Sequence, residues 1–384
     1  MTEPDTREPS VADVVQVLER IAPPRYAESW DNVGLLLGSG DRPVRRMLLT
    51  IDLTEDVLEE AIAGGTSLIV AYHPPIFDPL KRVTDAGEKE RIVLRAARAD
   101  VAIYSPHTAL DSAPDGLNDW LVRGLGSGDV RALVTRTELP ETEECKLVTY
   151  CPREAVEQVR ASLATVGAGI IGDYRLCSFE IPGTGTFMGL EGTSPAVGES
   201  GRLERVPEVR LEMVIGRRAL GLAMRTIRQA HPYEEPPVEI HALEPRPMRH
   251  VGAGRRITLD QPASIAEIVD RTKRTLGVTS VRVARGRGAA DSHRVIGACA
   301  GAGGSMVDEA IAQGCEVFLT GEMRHHDVMA AIARGCTVLL PGHTNTERGY
   351  LPHYRERILE GLGEGLSESQ VVISGRDRAS FEVW

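Results

Sequence analysis

MLLTIDLTEDVLEEAIAGGTSLIVAYHPPIFDPLKRVTDAGEKERIVLRAARADVAIYSPH, residues 47–107, decides the fold class. Three short apolar runs, 47–52, 67–73 and 101–107, alternate with segments of helical spacing at 54–63 and 88–98. Runs this short and rich in Leu, Ile and Val suit strands covered on both faces. Gly64-Gly65 ends the first helical segment, because glycine destabilises a helix interior and favours its end. Strand, helix, strand, helix, strand is the pattern of βαβ units and a mostly parallel sheet.

Outward from this stretch, 11–21 has helical spacing and is stopped by Pro23-Pro24, and 117–125 reads as a short helix. The alternation resumes near residue 294. Strands are expected at 294–300, 316–322 and 337–343, helices at 306–312, 327–334 and 346–362, and an edge strand at 371–375. The middle has another rhythm. A strand (146–151) and a helix (154–166) precede a hairpin built from 177–182 and 186–191. A Gly, Ser and Pro-rich loop (192–202), a strand (209–215), a helix (217–229) and a strand (238–243) follow. That order suggests a ferredoxin-like antiparallel layer with two helices. The fold class is therefore α/β: two lobes with mostly parallel sheets form one discontinuous domain, 1–130 and 250–384, and an α+β ferredoxin-like domain is inserted at 145–245.

Composition narrows the function. The 384 residues carry a formal net charge of -11, which argues against sequence-independent nucleic-acid binding, since that needs a basic face to displace counterions. No run approaches the ~18 apolar residues of a membrane span. The polar, acidic start MTEPDTREPSVAD lacks the features of a secretory or transit segment, so a cytoplasmic location and no membrane partner are expected. The six cysteines form no C-x-x-C pair, which speaks against a thiolate zinc site or a disulfide framework.

Chemistry gathers where the expected strands end. His73 ends the second strand, and His107 and Asp111 follow the third. Glu322, His325, His326 and Asp327 follow the strand at 316–322, and His343 and Glu347 follow that at 337–343. Five of the ten histidines lie in these segments. Open α/β sheets bind ligands outside the carboxyl ends of their strands. Neutral imidazoles with carboxylates make a ligand field for Zn, Fe, Mn, Co or Ni, and the same groups without metal could act as general acids and bases. The spacing of His343 and Glu347, four residues, places both on one helix face if the helix has begun. Weaker features are GAGGS (301–305), a tight turn or a phosphate cradle, and WDNVGLLLG (30–38), read as an Asx-turn beneath Trp30. HPYEEPP (231–237) reads as a solvated bend. No G-x-S-x-G elbow is present.

WDNVGLLLG (30–38), YHPPIF (72–77), HTALD (107–111), LTGEMRHHD (319–327) and GHTNTE (342–347), in this order and at these distances, resemble the dinuclear metal-centre family of GTP cyclohydrolase 1 type 2 homologues. The match covers both outer lobes. The insert, with HPYEEP, is similar to the extra domain of longer bacterial members, which itself resembles the ferredoxin-like, trimer-forming fold of nitrogen-regulatory and copper-tolerance proteins. The resemblance implies a toroidal homohexamer with two divalent ions per subunit facing an internal cavity. Carried over, the metal-binding positions are His73, Asp111, His343 and Glu347. Tyr72 stands where the family places the first histidine of a pair, so one or two divalent transition metals per subunit are expected.

Three functions follow as expectations. The first is a metal-dependent hydrolase acting on a nucleotide or another small phosphate-bearing compound, with His107 or His326 as general acid/base. The second is a non-enzymatic metal-binding or regulatory hexamer whose insert senses a small ligand. The third, a scaffold or DNA-encircling ring, is disfavoured by the acidic charge.

Overall fold

The computed structural model describes residues 8–379 and 381. They form two compact units: one holds the described residues up to Arg136 and from Met248 onward, the other runs Thr137–Pro247.

The first half of the larger unit opens with α1 (Val11–Ile21), whose Ser10 and Asp13 form a reciprocal capping box. It buries Val11, Val14, Val17 and Leu18. Strands β1 (Gly34–Leu37), β2 (Met47–Thr50), β3 (Leu68–Ala71) and β4 (Ala102–Ser105) alternate with α2 (Glu55–Ala63) and α3 (Glu88–Arg98). Every residue of β2, β3 and β4 is buried, which is what a parallel sheet covered on both faces requires. After β4 come α4 (His107–Ser112), α5 (Leu117–Arg123) and β5 (Gly128–Glu138).

The smaller unit has the order β6 (Cys145–Cys151), α6 (Val156–Ala164), β7 (Phe179–Met188), β8 (Leu203–Ile215), α7 (Leu220–Ala230) and β9 (Val238–Ala242). Its sheet runs β7-β8-β6-β9, every pairing antiparallel. One face packs on α6 and α7 through Leu147, Val159, Leu163, Leu211, Met213 and Ile227. The hairpin expected within 177–191 is not formed. Phe179–Met188 is one continuous strand, paired with Leu203–Ile215 across the 189–202 loop. Pro182 and Gly183 read as a break, yet β7 lies on the sheet edge, where a missing N–H costs no ladder bond.

The larger unit resumes with β10 (Arg246–Ser264) and α8 (Ile265–Leu276), neither anticipated from the sequence pattern. Then come β11 (Arg282–Ala284), β12 (Ser292–Cys299), α9 (Val307–Ala312), β13 (Val317–Thr320), α10 (His325–Ala333) and β14 (Thr337–Leu340). The expected long helix is two, α11 (Asn345–Arg348) and α12 (Leu351–Leu362), broken at Gly349-Tyr350. β15 (Val371–Ile373) closes the first sheet as its edge.

The sheet orders are β1-β4-β3-β2-β15 and β11-β14-β13-β12-β10-β5. In the first, β4, β3, β2 and β15 are parallel and β1 is antiparallel. In the second, β12, β13 and β14 are parallel, while β10 and β11 run antiparallel to them, so this lobe is mixed rather than mostly parallel. One apolar core joins the two halves: Val14, Met47, Val70 and Tyr104 belong to the same cluster as Ile257, Val317, Leu339 and Ile358.

Arg255, fully buried in β10, fastens α4 and α5 to that strand. Its guanidinium meets Asp119 at 2.9 Å and donates to the carbonyls of Ser112, Ala113, Gly252 and Gly254. Removing one partner from such a pair leaves a buried charge unmatched, which typically costs about 3–5 kcal/mol.

Candidate metal centre

Six groups stand two or three residues beyond the ends of parallel strands. Asp52 follows β2, His73 follows β3, His107 follows β4, Gly301 follows β12, Glu322 follows β13 and His343 follows β14. Parallel register brings these ends to one edge within each sheet. The shared core brings the two edges together: the His73 and His343 rings lie 5.5 Å apart, centroid to centroid.

His73, His343 and Glu347 each offer one ligand atom, and these three atoms all lie within 4.8 Å of one another. Glu347 Oε1 is 3.6 Å from His73 Nε2 and 3.4 Å from His343 Nε2. Both distances are long for hydrogen bonds, which prefer about 2.7–3.2 Å. They match the edge of a ligand shell, since donors held at about 2.0–2.1 Å around one tetrahedral ion sit about 3.3 Å from each other.

Both rings are aimed by carboxylates on their far side. His73 Nδ1 is 2.9 Å from Asp52 Oδ1, and His343 Nδ1 is 2.9 Å from Glu322 Oε1. A ring that donates from Nδ1 turns the Nε2 lone pair inward, as in the carboxylate–histidine–metal arrangement. Without a cation, positive charge collects on the imidazoles. Burial opposes it at His73, but contacts with Asp52 and Glu347 outweigh burial and raise the pKa to about 10. Contact with Glu347 does the same at His343, to about 9, against burial. Burial works against ionisation of Glu347, yet the two imidazoles hold its pKa below the ordinary value.

The donor set fits a divalent ion. Glu347 is 2% exposed and its Oε2 has no hydrogen-bond partner. An orphaned carboxylate oxygen at that depth is costly unless a cation takes it. Space is reserved too. Gly301 has φ +62°, and a Cβ there would lie 2.8 Å from Glu347 Oε1 and 3.0 Å from His343 Nε2. Asn118 holds this loop by accepting the Ala300 N–H and donating to the Asp111 carbonyl. Thr346 accepts the Gly301 N–H and donates to the His343 carbonyl. GAGGS thus begins as a tight turn pressed against the donors.

The remaining expected site residues divide. Asp111 lies outside the 4.8 Å set; its Oδ1 accepts the Tyr72 hydroxyl at 2.6 Å. Burial raises Asp111 to about 6 against the pull of that hydrogen bond, and burial with the Asp111 charge raises Tyr72 well above the ordinary phenol value. His107 stands beside the centre, its ring 5.4 Å from that of His73 and 5.6 Å from that of Tyr72. It is wired like His73 and His343, with Nδ1 2.7 Å from Asp31 Oδ1. Asp31 accepts the Asn32 N–H locally and also the Thr108 N–H and hydroxyl, so WDNV keeps a local side-chain-to-backbone bond and partners α4 as well. Burial raises the Asp31 pKa, and these contacts more than offset it. His107 has φ +27°, a conformation uncommon outside glycine and frequent at functional sites. His326 is not brought in: it is exposed at the start of α10, and its ring neighbour is His325, 5.7 Å away.

Asp52 was the group sequence reasoning missed. It ends β2 as His73 ends β3, and that parallel was the available signal. The helix has not begun at His343, which precedes α11 and reaches Glu347 from the loop.

Comparison with known proteins assigns the family. Residues 9–378 match the family model Duf34/NIF3 (NGG1p interacting factor 3). A Bacillus subtilis (strain 168) protein named GTP cyclohydrolase 1 type 2 homolog is 35% identical over 356 residues, 92% of this chain and 91% of its own. A crystal structure of a Bacillus cereus protein related to NIF3 aligns with TM-score 0.68 at 30% identity, covering 98% of this chain and 100% of that one. A Staphylococcus aureus structure aligns at 0.78 with 25% identity and the same coverage. On sequence and fold together, the chain belongs to the DUF34/NIF3 family.

Proposed function

We propose that this protein is a divalent-metal-dependent hydrolase acting on a nucleotide or a related phosphate-bearing compound. The observation that carries this reading is the pair of carboxylate-tethered imidazoles whose free nitrogens converge with the buried Glu347. A bound ion supplies Lewis acidity and makes a water acidic near neutral pH. Asp52 and Glu322 keep the rings aimed. His107, held by Asp31 and beside the centre, is the residue to take and return a proton. The names of the relatives, GTP cyclohydrolase 1 type 2 homolog, support a guanine nucleotide as the first substrate to try.

The trio His73, His343 and Glu347 accounts for one ion. Asp111 accepts the Tyr72 hydroxyl on Oδ1 and keeps Oδ2 to offer a second, so the count is one or two per subunit. We propose further that 1–130 with 250–384 is the metal-binding domain and that 145–245 is an inserted ferredoxin-like domain, supported by the order β-α-β-β-α-β. A cytoplasmic homohexamer completes the reading. Among the described residues no helix is long and apolar enough to cross a membrane.

One observation favours a second reading. The smaller unit has a cavity of about 460 Å³ bordered by Tyr150, Phe187, Tyr233 and Glu208. A non-enzymatic metal-binding regulator would use it to sense a small ligand. The test is metal per chain in protein prepared without chelator, followed by hydrolysis assays on nucleotides and phosphoesters with wild type and His343→Ala. Metal-dependent turnover that His343→Ala abolishes supports the hydrolase. Bound metal with no turnover across the panel favours the regulator.

A further inference from the structure

The cavity in front of the metal centre has a second pole. It is about 700 Å³ in volume, and His73 and His343 border it together with Ser280, Arg282, Leu340 and Thr344. That volume suits a small-molecule site. Arg282 opens β11 and is paired in register with Leu340 of β14. Directly paired residues put their side chains on one face, about 5 Å apart at Cβ. Leu340 is followed by Pro341, Gly342 and His343, so Arg282 stands one short loop from a metal-binding imidazole.

What singles out Arg282 is that nothing uses it. Asp52 and Glu322, the acidic groups on the same wall, are each engaged by a histidine. Among the described residues Arg282 is the one Lys or Arg bordering this cavity, and its side chain has no ion pair or hydrogen bond there. Ser280 and Thr344 add hydroxyls that likewise have no hydrogen-bond partner there. A planar guanidinium with two hydroxyls suits a tetrahedral oxyanion, which has several acceptor oxygens and a matching bidentate edge.

We propose that Arg282 anchors a phosphate group of the substrate in this cavity, so that the reacting bond lies against His73, His343 and Glu347. The proposal rests on the hydrolase reading and sharpens it: the substrate carries its phosphate within reach of β11, one short loop from His343. Arg282 is a positioning and specificity residue, and it leaves the metal untouched.

The test is calorimetric titration of inorganic phosphate into the full-length, metal-containing protein, with metal content measured in every sample. Arg282→Ala is expected to weaken phosphate binding roughly tenfold to a hundredfold, the loss of a charge-assisted hydrogen-bonded contact. Metal per chain should not change. Arg282→Lys should recover part of the affinity, because it restores the charge without the fork. Arg285→Ala, which removes an exposed arginine three positions on, should behave as wild type. Affinity within twofold of wild type in Arg282→Ala, at unchanged metal content, would overturn the proposal. Equal losses in Arg282→Ala and Arg285→Ala would overturn it too, since that is a general field effect. Arg282-dependent phosphate binding in a protein that hydrolyses nothing keeps the anchor and removes the hydrolase. Turnover with phosphate binding indifferent to Arg282 does the reverse.

Discussion

His73 and His343 in the larger unit and His231 in the smaller one are the same residue wired in opposite ways. His231 spends both nitrogens on backbone: Nε2 meets the Tyr150 carbonyl at 3.0 Å, and Nδ1 accepts the Tyr233 N–H at 3.1 Å. Nothing is left for a ligand, and the ring fixes the turn that follows α7. His73 and His343 spend only Nδ1, on carboxylates, and leave Nε2 facing Glu347. Burial pulls the His231 pKa below its usual value, against the Tyr150 carbonyl, while acidic neighbours overcome burial and raise the other two. A histidine's office is therefore read from its second nitrogen, and one motif holding a His beside acids, such as HPYEEPP, is not enough.

The largest effect that would break this contrast is on metal content. His343→Ala should lose tightly held divalent metal altogether, while His231→Ala should keep it; elemental analysis of protein purified without chelator decides. Metal retained by His343→Ala would put the centre elsewhere.

A smaller effect is expected from the tethers. Asp52→Asn or Glu322→Gln should weaken metal binding about 10–100-fold, as loss of the group orienting a ligand imidazole commonly does. Competition against a chromogenic chelator measures this. No change in either variant would mean the carboxylates are ordinary surface partners.

In the smaller unit, His231→Ala should cost about 1–3 kcal/mol, the penalty for stranding buried backbone groups. The loss should show as faster amide exchange within 137–247, with metal content unaltered.

The slightest effect is on pH. The native wiring of His231 needs a neutral ring, and its native pKa lies below the unfolded value of 6.5. Its contribution is complete above pH 6.5 and is lost as pH falls through the lower native pKa. Exchange protection of the smaller unit should drop between pH 7.5 and 5.5 in wild type, and His231→Phe should flatten that dependence.

Much of the fold was legible because β2, β3 and β4 are covered on both faces and must be apolar throughout. α1 and α3 fall on the residues expected for them, since amphipathic spacing is a local property. β10 escaped notice because its burial is irregular and its start, Arg246–His250, is polar. The 177–191 hairpin failed for a related reason: Pro and Gly mark a turn in most settings, and only the edge position of β7 makes them tolerable. At the site, His73, His343 and Glu347 could be picked out because each follows a readable strand. Asp31 could not be paired with His107, 76 positions away, because that bond exists only once the chain has folded, nor Asn118 with Ala300, whose bond needs the two halves to meet. His326 has every chemical qualification and the wrong address.

The ordering of the donors along the polypeptide has a consequence for biogenesis. His73 leaves the ribosome before the smaller unit, whereas His343 and Glu347 emerge only after all of it. At about 5–20 residues per second, the gap is on the order of tens of seconds. Throughout that interval the nascent chain offers a scavenged cation a single imidazole from this trio. The three donors can therefore meet around one cation only after the smaller unit has been made.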